Sequence, residues 1–239
     1  MESTNNLKKP DNVDDYSFKP LQTDFANSRI RQRPGNPLGM IIGDYPNGNY
    51  FDVETDGTIV FNGDATVWND ANVGGLALRP GVTNPPVTQW VDNVGANTGI
   101  YGLGFAVNDE SNGSIEIPHN YKEGSNIAFH IHWGANDAPS GTDYVKWQLK
   151  YFVDSETTEP TTPPATTIVI ETAYDTRYEH KRSDFPAITG TSLKIGDQIN
   201  FNIKRIAATG DAYAGVAIAE TIGFHYEVDT AGSRQILTK

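Results

Sequence analysis

From about residue 57 the apolar positions recur with a period of two. In 126–134, Ile127, Phe129, Ile131 and Trp133 share one side, opposite Ala128, His130 and His132. In 143–153, Val145, Trp147, Leu149, Tyr151 and Val153 share a face, opposite Lys146, Gln148 and Lys150. In 199–203, Ile199, Phe201 and Ile203 alternate with asparagines, and in 218–228, Ile218, Ile222, Phe224, Tyr226 and Val228 fall on one face. Successive side chains of a strand point to opposite sides, so each segment predicts a strand with one buried face. GTIVFNGDATVW adds short β-branched runs around Gly-Asp turn chemistry. No long amphipathic helix is predicted. The expectation is an all-β, jelly-roll-like antiparallel β-sandwich over 57–239. The Thr/Pro-rich segment 154–167 reads as a loop between two of its strands.

Residues 1–56 read differently. Up to about residue 50 neither hydrophobic period is visible, and Pro10, Pro20, Pro34, Pro37 and Pro46 interrupt the stretch. The pattern predicts an extended irregular arm. Within it Tyr16, Phe18 and Phe25 are spaced as anchors, and Arg29, Arg31 and Arg33 cluster in RIRQRP. Guanidinium groups suit forked pairing with carboxylates, so these six residues predict an arm that docks on an acidic partner surface.

Charge narrows the choice of partners. The 239-residue chain has a formal net charge of −12. Residues 1–40 hold six Lys/Arg and five Asp/Glu (+1), and the remainder holds 12 and 25 (−13). An acidic body disfavours nucleic acid, whose affinity comes largely from Lys/Arg neutralising phosphates. No run approaches the ~20 apolar residues of a membrane span, and the first residues lack the apolar core of a signal peptide. There is no cysteine, which excludes disulfides and thiolate metal sites.

The candidate chemistry lies in IPHNYKEGSNIAFHIHWG, 117–134. His130 and His132 point to the same side of one strand, which suits a metal ion. Gly124-x5-His130-x-His132 resembles the opening of the cupin metal motif. That motif continues with a glutamate, where this chain has Asn136 and Asp137, and the second cupin motif is absent. His119, His180 and His225 show no ligand spacing. A catalytic metal needs three protein ligands and an open position, so the expectation is no metal and no cofactor. The imidazoles then make hydrogen bonds on a semi-polar sheet face at a subunit contact.

Three stretches carry a further resemblance: DGTIVFNGDATVWND (56–70), IPHNYKEGSNIAFHIHW (117–133) and GDAYAGVAIAETIGFHYEVDTAGSRQILTK (210–239). Together they resemble segments of tailed-bacteriophage virion proteins described as head fibres, capsid auxiliary proteins or tail-fibre-like proteins. The resemblance implies a non-enzymatic homotrimer on the virion surface, assembled in the host bacterial cytoplasm. Its arm would dock on the major capsid protein or another virion protein. It supplies no catalytic residues. Two alternatives stand beside it: a tail-fibre protein binding a receptor or host-surface glycan, and a cupin-like metal-dependent enzyme.

Overall fold

The computed structural model describes residues 30–32, 39–155, 166–236 and 238. These form fifteen strands and three short 3-10 turns, with no α-helix among the described residues. The described chain divides into two compact units at Ala65/Thr66.

The first unit is an antiparallel meander of β1 (Ile30–Gln32), β2 (Met40–Asp44), β3 (Asn49–Val53) and β4 (Ile59–Asn62), in that spatial order. β2 and β3 fall within the stretch expected to be irregular. Its prolines and glycines serve turns between short strands: Pro46 opens the turn Tyr45–Asn47, and Gly48 closes it at φ 82°. Ile41 is fully buried, and Phe51 stacks on Phe61 at 6.2 Å. Tyr16, Phe18, Phe25, Arg29 and Arg33 lie outside the described residues. Arg31 pairs through its backbone with Ile41 in β1.

The second unit holds two sheets. One contains β13 (Lys181–Asp184), β10 (Ala128–Gly134), β15 (Ala217–Val228), β8 (Ala96–Phe105) and β7 (Val87–Asn93), in that order, with β5 (Val67–Gly74) also pairing with β15. The other runs β12 (Thr166–Tyr174), β11 (Asp143–Asp154), β14 (Gln198–Ile206), β9 (Glu110–Glu116) and β6 (Arg79–Pro80). All these pairings are antiparallel. The sheets pack face to face through the apolar positions of the period-two pattern. Phe129 of β10 meets Phe201 of β14 at 5.8 Å, and Trp147 of β11 meets Trp133 at 6.3 Å and Phe105 at 5.3 Å. All but Phe201 among these are fully buried. Aromatic pairs in such edge-on contacts contribute about 0.5–1.5 kcal/mol each beyond area burial.

One strand face is corrected. Ile218 does not share a face with Ile222. The β10/β15 register shifts between His132↔Thr221 and Trp133↔Ala219, leaving Glu220 as the extra residue of a β-bulge. The bulge reverses the alternation, so Ala219 turns inward with Trp133 and Ile218 turns outward opposite Gly104. There it packs beside Gly102, where an added Cβ would come within 2.4 Å of its Cγ2.

Candidate metal centre

The face of the six-stranded sheet that points away from the core carries the polar half of the alternation. β15 pairs with β5 through Glu227↔Trp68, His225↔Asp70 and Gly223↔Asn72, and with β10 through Gly223↔His130. Directly opposed residues lie on the same side of a sheet. The register therefore gathers side chains from three strands, far apart in sequence, onto one patch.

Asp70, His130 and His225 form a cluster in which one ligand atom from each lies within 4.8 Å of the others. His130 Nε2 is 3.7 Å from Asp70 Oδ2, and His225 Nε2 is 4.0 Å from the same oxygen. The two imidazoles stack at 4.3 Å with 24° between planes. Ligands sharing one tetrahedral zinc lie roughly 3.3 Å apart, given Zn–N and Zn–O bonds near 2.0–2.1 Å. The present separations of 3.7 and 4.0 Å are longer, so Asp70 and His225 would have to turn toward the shared point. Both are about one-third exposed, whereas His130 is held in place at 1% exposure.

Burial has a chemical consequence at His130. It lowers the pKa of the ring, with His225 and His132 adding to the effect and the Asp70 carboxylate opposing it. The ring is therefore neutral at neutral pH, as a metal ligand must be. Its Nδ1 is buried and makes no hydrogen bond of normal geometry, although the Ala128 backbone slightly favours the protonated ring. Buried polar atoms are rarely left in this state without a reason.

His132 takes another part. Its ring stands edge-on to His130 at 5.0 Å, but its Nδ1 shares a 2.8 Å hydrogen bond with His180 Nε2. His180 Nδ1 in turn lies 3.2 Å from Glu220. Burial, then the neighbouring His180 and Arg182, lowers the His132 pKa. His119 stands apart, hydrogen-bonded to Ser233 at 2.7 Å.

Of the two candidate histidines, His130 is in the cluster and His132 is beside it. Asp70 and His225 were missed because spacing along the chain does not express a site assembled across strands. A signal was present all the same: both residues occupy polar, outward positions of alternating segments, GDATVWND and FHYEVD. The cluster corrects the ground of the expectation of a chain without enzymatic chemistry, since a third candidate ligand stands beside the histidines after all. It also removes the ground of the homotrimer expectation taken from this sheet face. The small and polar face read there as a subunit contact is the face that carries these ligands.

No family model matches the chain, and no curated protein matches it. Solved structures similar to it include the CBM22-1–GH10 modules of Clostridium thermocellum endo-1,4-β-D-xylanase 10B with xylohexaose. That match has 14% identity and a TM-score of 0.34, and it covers 70% of this chain and 27% of that one. Another is the exo-β-1,3-galactanase of Phanerochaete chrysosporium with galactose, at 10% identity and a TM-score of 0.35, covering 77% and 36%. A third is TmCBM61 with β-1,4-galactotriose, at 13% identity and a TM-score of 0.27, covering 68% and 88%. The chain thus spans about a third of the xylanase and galactanase structures. Scores of this size carry no inference about its activity. The resemblance to phage virion proteins, with its capsid partner, is corrected to this extent: no family model supports it, and none of the structures named here is described as a virion protein.

Proposed function

We propose that this chain is a metal-dependent enzyme domain that holds one divalent first-row transition ion through Asp70, His130 and His225. The observation that carries the reading is the convergence of two imidazoles and one carboxylate within 4.8 Å, around a buried, neutral His130. A mixed N2O donor set suits zinc, iron, manganese or nickel rather than calcium or magnesium, which prefer all-oxygen shells. Three protein ligands would leave coordination positions open, and an ion so held would supply Lewis-acid chemistry toward a substrate oxygen. In this reading the buried His130 and the partly exposed Asp70 and His225 would hold the ion.

For the scaffold we infer a jelly roll. Strands β8 to β15, counted one to eight, stand in the orders 1-8-3-6 and 2-7-4-5 in the two sheets, and consecutive strands alternate between sheets except the fourth and fifth, β11 and β12, which pair within one sheet. Two interleaved Greek keys have this connectivity.

The test uses untagged protein freed of metal by chelation. Cobalt(II) titration followed by visible absorption, with zinc calorimetry alongside, is expected to give one ion per chain at micromolar affinity or better. Asp70→Asn and His225→Gln, both at partly exposed positions, should each weaken binding by about 100-fold while leaving the circular dichroism unchanged. Failure to bind any of these ions, or wild-type affinity in the double variant, would overturn the proposal.

A further inference from the structure

We infer that the same sheet face binds a neutral saccharide, with one sugar ring stacked on Trp68 and a neighbouring part of the chain reaching the metal site. This rests on the metal reading for its second half only. Trp68 is 62% exposed, although it sits within a regular strand. In β5 it is two residues from Asp70, so the two side chains stand on the same side, about 6.8 Å apart along the strand. The register confirms the placement: Trp68 lies opposite Glu227 as Asp70 lies opposite His225.

An open depression of about 620 Å³ borders the indole, lined by Lys122, Glu123, Ser125, Asn126 and Glu227. That volume is within the range of small-molecule sites. Its floor is built: Lys122 Nζ donates to Glu227 Oε2 at 2.5 Å, and the Lys122 backbone N–H donates to the Glu227 carbonyl at 2.8 Å. The chemistry is an apolar aromatic face surrounded by carboxylate, amide, hydroxyl and ammonium groups. A pyranose ring has the complementary form, a C–H face for the indole and hydroxyls for the rim. A protein hot spot would be embedded in further apolar surface, whereas the rim here is polar. A nucleic acid could stack a base on Trp68, but its phosphates would meet Glu123, Glu227 and a chain of net charge −12. The rim carries one cation and two carboxylates, which also argues against an anionic sugar.

Trp90 provides the internal control. It too is partly exposed, at 42%, but its ring face is already stacked on Tyr101 at 4.4 Å. The experiment screens the full, zinc-loaded chain on an array of neutral glycans and on affinity gels containing neutral polysaccharides. Calorimetry with the best-retained oligosaccharide follows. Trp68→Ala should weaken binding about tenfold or more with zinc affinity unchanged, and Trp90→Ala should not. Absence of any neutral-glycan binding in a chain that holds zinc would overturn this inference and leave the metal reading standing. Equal binding by wild type and Trp68→Ala would also overturn it. Trp68-dependent glycan binding in a chain that takes up no metal would support the stacking site and sink the metal reading alone.

Discussion

Gly223 lies between the ligands, opposite His130 on one neighbouring strand and Asn72 on the other. A Cβ at this position would stand 2.3 Å from the Ala71 carbonyl oxygen and 2.6 Å from Asn72 Cβ. Ordinary contact begins near 3.4 Å, so Gly223→Ala requires the β5 backbone to retreat by about 1 Å. Among the described residues β5 has a ladder with β15 only, so its retreat disturbs that one ladder. Overpacking of this kind costs about 1–3 kcal/mol, which a typical domain stability of about 5–15 kcal/mol absorbs. Asp70 is adjacent to Ala71 and moves with it. Metal–ligand distances are held to about ±0.2 Å, and Asp70 Oδ2 already stands 3.7 Å from His130 Nε2. A further retreat of about 1 Å takes the carboxylate beyond what rotation of its short side chain recovers, while both histidines stay. The expected loss is about 100-fold in zinc affinity, or about 2.7 kcal/mol. Thermal unfolding with and without zinc reads the effect. In the parent, free zinc at about 100 times the dissociation constant adds about 2.7 kcal/mol, which at roughly 2–4 °C per kcal/mol raises Tm by about 5–10 °C. In Gly223→Ala that rise should vanish while the variant still unfolds cooperatively. A folded variant that keeps parental zinc affinity within about threefold would refute the argument that strand spacing positions Asp70.

Two further outcomes test the scaffold. The buried Arg205 guanidinium donates to the carbonyls of Phe105 at 2.8 Å, Gly215 at 2.5 Å and Tyr213, tying β8 to the loop before β15. In Arg205→Met, orphaning three acceptors costs about 6 kcal/mol at ~2 each. Release of a charge whose pKa burial has lowered to about 10 returns about 3 kcal/mol, so urea denaturation should show a net loss of about 3 kcal/mol, and an unchanged midpoint would contradict it. The Glu171 carboxylate accepts from the Thr209 and Gly210 backbone N–H groups at 2.8 and 3.2 Å, which holds its pKa at about 2. A lowered folded-state pKa contributes stability above the ordinary carboxylate range, lost as pH falls from about 4.5 to 2. Glu171→Gln should therefore destabilise the protein at pH 7 but hardly at pH 2, measured by denaturant titration at both values.

The strands and their inward faces were readable from the sequence, because a period of two is local. Phe129, Ile131, Trp133, Trp147 and Phe201 declare a buried side within five to twelve residues of chain, and burial of that side follows from the hydrophobic effect. Ile218 was misplaced because a bulge is a property of two strands, and only the partner shows which residue is extra. β2 and β3 were missed because strands of five residues beside glycines and prolines carry too few alternations to stand out. The metal cluster lies at the far limit of sequence reading. The histidine pair was visible as 130 and 132, yet the residues that cluster are 70, 130 and 225, brought together by register across β5, β15 and β10. Alternation tells each residue which side of its own strand it occupies. Only hydrogen-bonded pairing between strands decides which residues of other strands it meets there, and that pairing is where the site was made.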